Sequence, residues 1–331
     1  MTPDLIPLPA TLLDRFSHVG VDVDALLRRA GIARSRFSAP RPQGTTAECF
    51  ALWRAVSQSG GGPDVGLRAG AHFVPHHQSV ATLCVLHSPT LGEGLEKLAR
   101  YKRLVCPEQV TVEVRRGEAR LRFEWTLADT EPPPLLIDCI FASVADLAER
   151  GTGKRVPPRR VELARPPAHE ALLRRHFGCE IKFDAPFDRM VFDEASLALP
   201  LVTQDAQLLA LLAPGLESAL AETMSRRTLA DDVRAALTDT ICGERPAVEK
   251  VARSLGLSPR TLQRRLGELG TTYQKLLDEV RHRSARRLLA RTDLAAAEVA
   301  FLLGFEELNS FTRAFHTWEG TTPVRWRATA R

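Results

Sequence analysis

The chain has 331 residues, enough for two domains, and its 44% hydrophobic content is ordinary for a sequence that folds around cores. Its formal charge of +5 is uneven: from Arg226 onward there are 19 Lys and Arg against 13 Asp and Glu, whereas the preceding part holds 26 against 27. That balance points to a polyanion partner for the last third. No stretch reaches the roughly 18 uninterrupted apolar residues of a membrane span, and no basic segment followed by an apolar run opens the chain, so a cytoplasmic protein without membrane contact is expected.

Six cysteines (Cys49, Cys84, Cys106, Cys139, Cys179 and Cys242) are scattered without a CxxC pair or zinc-finger spacing, which fits reduced, buried thiols. The opening segment reads as three short helices, around Thr11 to His18, Asp22 to Ala30 and Thr46 to Gln58, with Ser59 to Pro63 ending the third. A fourth helix is expected from Leu91 to Val105. Alternation of Val110, Val112, Val114 and then Leu121, Phe123, Trp125, Leu127 about Arg116-Gly117-Glu118 predicts an antiparallel hairpin. Leu135 to Arg150 reads as an apolar core helix. Short strands follow at Arg159 to Leu163, Glu180 to Phe183 and Arg189 to Phe192, with a helix from His169 to Phe177 between the first two. This first domain, residues 1–224, is therefore α+β, and beyond Pro200 the register becomes helical.

The last third, residues 225–331, contains one pattern twice. Val251-Ala252 with Leu255-Gly256-Leu257 recurs as Val299-Ala300 with Leu303-Gly304-Phe305, and Leu262, Arg264 and Leu266 recur as Phe311, Arg313 and Phe315 with one extra residue in the second turn. This is a duplicated helix-turn-helix in an all-α domain. In the first unit Gly256 supplies the left-handed conformation that ends a helix, Ser258 is an N-cap and Pro259 suits the first helical position. With Leu262, Leu266 and Leu269 inward, Arg260, Gln263 and Arg264 face outward, and these side chains can contact guanine and adenine edges. In the second unit Phe311, Phe315 and Trp318 face inward, leaving Asn309, Thr312, Arg313 and His316 outside. Tyr273 to Ala290 is expected to be one long linker helix, with Arg281, Arg283, Arg286, Arg287 and Arg291 toward its C-terminal half.

The stretches LGLSPRTLQRRL (Leu255 to Leu266), LLDEVRHRSARRLL (Leu276 to Leu289), VAFLLGF (Val299 to Phe305), SFTRAFHTWEG (Ser310 to Gly320) and TPVRWR (Thr322 to Arg327) resemble the DNA-binding domain of the AraC/XylS family. The resemblance implies double-stranded promoter DNA as partner, with Arg260, Gln263, Arg264, Asn309, Thr312 and Arg313 reading bases. It implies phosphate contacts for Ser258, Thr261, Arg265, Arg286, Arg287, Ser310 and His316. Two departures stand out: Ala295 occupies a helix start where relatives often carry Ser or Pro, which passes capping to Asp293, and Leu308 replaces a residue that is often polar, favouring an apolar contact such as a thymine methyl.

Ala30-Gly31-Ile32, Gly66 to Ala69, Ser88 to Gly92, Arg100-Tyr101 and Phe183 through Leu197 to Pro200 resemble the sensor domain of the subgroup typified by the ornithine-utilisation and VirS regulators, an arabinose-binding-domain-like type distinct from cupin sensors. It implies an effector-responsive activator, a homodimer that binds a small organic effector and contacts RNA polymerase, with no cofactor. Trp53, Tyr101 and Trp125 are the candidate effector-pocket residues. His72, His76, His77 and His87 raise the possibility of a metal, but adjacent His76 and His77 diverge and Pro75 interrupts any helix joining His72 to His76, so no metal is expected. The alternatives are a dimerisation-only regulator, an architectural DNA binder and an enzyme-fused DNA-binding protein; there is no GxSxG, P-loop, HExxH or GxGxxG to support catalysis, and no enzymatic activity is expected.

Overall fold

The computed structural model describes residues 4–330 apart from 40–41, 61, 73, 75–77, 126, 129, 226–227 and 241–245. Pro75, His76, His77, Arg226, Arg227 and Cys242 therefore lie outside the described residues. The chain divides into two compact units, Asp4–Glu222 and Thr223–Arg331.

The first unit opens with β1 (Ile6–Pro7), α1 (Ala10–His18) and α2 (Val23–Ala30), then β2 (Gln43–Gly44), which pairs with β1, and α3 (Thr46–Ser57). Local chemistry sets these boundaries. The Asp22 carboxylate accepts the Ala25 N–H at the start of α2, and Gly31 ends that helix at φ 68°; Thr45 and Glu48 form a reciprocal capping box on α3. Two helices follow that sequence periodicity does not reveal, α4 (Val65–Ala71) and α5 (Val80–Leu86), before α6 (Leu91–Tyr101). The helix expected to reach Val105 ends at Tyr101 and passes into a 3-10 turn, Lys102–Leu104.

The hairpin is β3 (Glu108–Arg115) and β4 (Glu118–Trp125), one strand residue pair shorter than the alternation suggests, since Leu127 lies outside β4. α7 (Pro134–Thr152), β5 (Arg160–Glu162), α8 (Glu170–Phe177), β6 (Glu180–Lys182), β7 (Arg189–Asp193) and α9 (Ala206–Ser225), of which the part up to Glu222 belongs to this unit, follow. The strands form a sheet in the order β3-β4-β7-β5-β6, antiparallel except for β5 against β6. On β4, Ala119, Leu121, Phe123 and Trp125 are buried while Glu118, Arg120, Arg122 and Glu124 face the other way. Phe123 packs against Phe141 of α7 at 5.5 Å between ring centroids, so the apolar sheet face and the core helix close one hydrophobic core. Each Phe or Ile buried there contributes about 1.5–3 kcal/mol.

α4 lies directly on α7. A Cβ at Gly66 would stand 2.4 Å from the Leu135 carbonyl oxygen, and one at Gly70 2.2 Å from that of Cys139, so only glycine permits this approach.

The second unit is all-α: α10 (Leu229–Thr240), α11 (Val248–Ser254), α12 (Pro259–Glu268), α13 (Tyr273–Arg291), α14 (Ala296–Leu302), α15 (Leu308–Glu319) and α16 (Pro323–Ala330). It has two small cores. Val233, Leu237, Val251, Leu262 and Leu266 close on Leu276, Leu277 and Val280 in the first half of α13; Val299, Leu303, Phe311 and Phe315 close on Ala285 and Leu289 in its second half. One continuous helix thus supports both.

Candidate nucleic-acid interface

The two helix-turn-helix units close with the same backbone geometry. Gly256 has φ 67° and Gly304 φ 70°. After each, the chain folds back to the same acceptor: Leu257 N–H donates to the Ala252 carbonyl at 2.8 Å, and Phe305 N–H to that of Ala300 at 3.0 Å. A left-handed glycine with this reversed bond ends α11 and α14 alike, and Ala252 and Ala300 are both buried where the next helix crosses. Four residues separate α11 from α12 and five separate α14 from α15, so the extra residue lies in the second turn.

Ser258 caps α12, accepting from Thr261 N–H at 3.2 Å, and the two hydroxyls lie 2.8 Å apart. Leu262 and Leu266 have no exposure, which turns Arg260, Gln263, Arg264 and Arg265 to the surface, with Thr261 half-buried. Leu269 does not join the inward stripe: it is 48% exposed, because α12 ends at Glu268 and Leu269 sits in the cap, outside the helical phase. Arg264 pairs with Glu268 one turn on, whereas Arg260, Arg265 and Arg313 form no ion pair among the described residues. On α15, Phe311 and Phe315 are fully buried, Trp318 is half-buried, Asn309, Arg313 and His316 are exposed, and Ser310 and Thr312 are half-buried. The Thr312 hydroxyl donates to the Leu308 carbonyl at 2.9 Å, and Leu308 is itself 43% exposed.

The arginines of α13 divide. Arg281 is buried and inward: its Nε donates to the Leu303 carbonyl at 2.9 Å and its Nη2 to that of Gly304 at 2.7 Å, with the guanidinium 4.2 Å from the Phe305 ring centroid. It locks the second turn instead of joining a basic surface. Arg327 works similarly at the other end, donating to the Leu289 and Leu294 carbonyls. Sequence reasoning missed both roles, because a buried arginine that bonds backbone carbonyls has the same local pattern as a solvated one. Arg286 lies 3.5 Å from Glu319 and over Trp326; Glu319 also pairs with His282 at 2.5 Å and accepts from Trp326 Nε1 at 2.9 Å. Arg287 is half-buried. At the start of α14, the Glu298 carboxylate receives the Ala295 N–H at 2.6 Å.

In the first unit a cavity of about 620 Å³ lies between α1, α3, α5, α7 and β4. Trp53 and Trp125 line it. Tyr101 does not: it packs with Leu216 and Leu220 of α9 and its hydroxyl donates to Glu217 at 2.6 Å, because that face of α6 turns toward α9. Cys49, Cys106 and Cys139 also line the cavity, and burial pushes the first two to a pKa of about 12 and the third to about 11, so they stay neutral thiols. Among the described residues no cluster of three His, Cys, Asp or Glu side chains is arranged for a metal; His72 stacks on His18 at 3.7 Å, and His87 Nδ1 lies 2.6 Å from the Thr203 carbonyl oxygen. No described helix is long and apolar enough to cross a membrane.

Comparison with known proteins gives two family matches along the chain. The arabinose-binding domain of AraC transcription regulators matches residues 20–201, and a helix-turn-helix domain matches residues 251–329. The ornithine utilization regulator of Pseudomonas aeruginosa is 28% identical over 98% of this chain and 97% of its own length. The regulator VirS of Mycobacterium tuberculosis is 26% identical over 80% of this chain and 79% of its own. The crystal structure of the regulator CdpR from Pseudomonas aeruginosa covers 95% of this chain and 97% of that one, with 22% identity and a TM-score of 0.46. With the N-terminal match spanning more than half of its residues and the helix-turn-helix match following it, the chain belongs to the AraC family of DNA-binding transcription regulators.

Proposed function

We propose that this regulator reads duplex DNA with α12 and α15 in successive segments of one major-groove face, acting as an effector-responsive homodimeric activator in the cytoplasm that contacts RNA polymerase. The observation that carries the reading is the duplicated helix-turn-helix: both units end the first helix on a left-handed glycine, and both present Arg, Gln, Asn or Thr outward from the second. α13, at 19 residues, is about 28 Å long, comparable with the roughly 34 Å of one DNA turn that two recognition helices need between them. Arg260, Gln263, Arg264, Asn309, Thr312 and Arg313 are the base readers in this reading. Ser258, Thr261, Arg265, Arg287, Ser310 and His316 hold phosphates. Arg286 shares that role while also bracing Glu319 and Trp326. The first domain, residues 1–224, supplies effector binding and dimerisation, and the cavity of about 620 Å³ supports the former because it has the size of small-molecule pockets.

The test compares operator with random duplex at several salt concentrations. Arg264→Ala and Arg313→Ala should cost roughly 1–3 kcal/mol on operator and much less on random DNA. Arg287→Ala should weaken both and flatten the salt dependence. Equal losses from Arg264→Ala on the two duplexes would overturn base reading. Sedimentation of the full chain at micromolar concentration decides dimerisation, a strictly monomeric result rejecting it.

A further inference from the structure

The cavity of the first unit has a charge left over. Among the described residues its charged lining groups are Arg15, Lys102 and Asp146. Asp146 accepts from Arg150 Nε at 2.6 Å, and Lys102 Nζ lies 3.1 Å from Glu108 Oε2, whose side chain has no exposure. Those two pairs each cancel. Arg15, from the middle of α1, is half-buried and its guanidinium makes neither a hydrogen bond nor an ion pair among the described residues. Among the described residues the wall is thus short of one negative charge.

A partly desolvated cation without a partner is unfavourable, and a guanidinium is shaped to take a carboxylate through two parallel hydrogen bonds. Trp125, also on the wall, has a buried Nε1 donor without an acceptor among the described residues. Thr11, His72, Gln78, Ser79 and Thr82 add polar side chains to the lining, but among the described residues no lining residue other than Arg15 and Lys102 is an arginine or lysine. Leu12, Trp53, Phe123, Leu136 and Ile140 present apolar surface, the three cysteines are held neutral by burial, and the Ser143 hydroxyl is already committed to the Gly70 carbonyl at 3.1 Å. A ligand suited to this wall has an apolar chain or ring and a single acid group.

We propose that the cavity binds a monoanionic, amphipathic organic acid, with the carboxylate on the Arg15 guanidinium and the apolar body against Trp53, Phe123 and Ile140. As an account of the effector it rests on the effector-responsive reading above; as a binding site it stands without DNA. Octanoate and 4-phenylbutyrate are suitable probes, one a flexible chain and one an aromatic body, with octanol, 4-phenylbutanol and octylamine as matched controls.

Calorimetric titration of the full chain should show each acid binding at least about tenfold more tightly than its alcohol, the difference expected for a charge-assisted pair, and octylamine more weakly still. Arg15→Gln should abolish the acid-over-alcohol preference and Arg15→Lys should keep part of it. Leu12→Trp, which narrows the cavity at a half-buried position, should weaken acids and alcohols alike. Alcohols that match the acids, an unchanged acid affinity in Arg15→Gln, or no binding by either acid at millimolar concentration would overturn the proposal. Should a variant fail to fold by circular dichroism, the acid-against-alcohol comparison on the unsubstituted chain decides. Operator affinity with and without saturating octanoate separates the two readings. Acid binding that leaves operator affinity and transcription unchanged rejects the effector role and supports the site; operator binding by a chain that takes neither acid rejects the site alone.

Discussion

Glu268 Oε1 lies 2.5 Å from Arg264 Nη1, one turn along the exposed surface of α12. Both side chains are more than half exposed, and an i,i+4 pair of this kind contributes only about 0.3–0.5 kcal/mol to stability. In the proposed reading its larger effect falls on binding, because Glu268 occupies the guanidinium assigned to base reading and would put a negative charge beside DNA. Glu268→Gln should therefore raise DNA affinity about two- to fivefold at low salt, on operator and random duplex alike, with little change in melting temperature. Fluorescence-anisotropy titration is the measurement. A loss of operator affinity would show instead that the pair holds Arg264 in its reading position.

Arg281 is a different kind of arginine. It is 7% exposed and forks onto two carbonyls at the end of α14, so truncation leaves buried acceptors without donors. Arg281→Ala should destabilise the second helix-turn-helix by about 2–4 kcal/mol, and Arg281→Lys should restore little because an ammonium does not reproduce the fork. Footprinting should then show the DNA contacted by α15 lost before that contacted by α12. Equal loss of both halves would mean that the two small cores unfold together.

What was legible in the sequence follows from which interactions are local. The helix-turn-helix pair was readable because glycine, N-cap and apolar spacing all act within about 20 residues, and Gly256, Ser258, Leu262 and Leu266 stand where that spacing requires. Leu269 was not, since the pattern does not show that the helix stops one residue earlier. α4 was hidden by two glycines that argue against a helix locally yet allow its close approach to α7. That Tyr101 stands away from the cavity was not legible, because an aromatic side chain does not reveal which neighbour its helix face meets, here α9. Arg15 carried no local signal at all: the cavity it lines is assembled from α1, α3, α5, α7 and β4, which are far apart in sequence.

Gly70 tests the α4–α7 packing. An added Cβ would stand 2.2 Å from the Cys139 carbonyl oxygen and 2.7 Å from the Ala142 Cβ, both fixed in α7. Gly70→Ala should cost about 2 kcal/mol or more, since neither neighbour can swing away. Gly215→Ala is the control: nothing lies within 4 Å, and the helix interior there should gain about 0.5–1 kcal/mol from alanine. Urea unfolding midpoints compare them. A neutral Gly70→Ala would mean that α4 can slide on α7 without loss.

Acid sensitivity should be carried in part by the outer face of the sheet. Glu118 of β4 accepts from Arg160 Nη1 at 2.6 Å and Nη2 at 3.0 Å, and from Arg120 Nη2 at 2.9 Å. Hydrogen bonds from Arg160 and then Arg120 outweigh the opposing effect of burial and hold its carboxyl down at about 2, against an ordinary value of 4.5. Because the folded pKa is the lower one, the unfolded chain takes up a proton first as pH falls. The stabilisation is therefore complete above about pH 5 and is lost progressively between the ordinary value and the depressed one. Glu118→Gln keeps the shape but accepts from two arginines without charge, so it should lower stability at neutral pH by on the order of 1–2 kcal/mol. The difference between the two proteins in urea midpoint should stay constant from neutral pH down to about 5 and then shrink toward pH 2. A difference that stays constant through the acid range would show that Glu118 keeps its ordinary pKa in the folded chain, and that the arginine ladder acts on the sheet only through its shape.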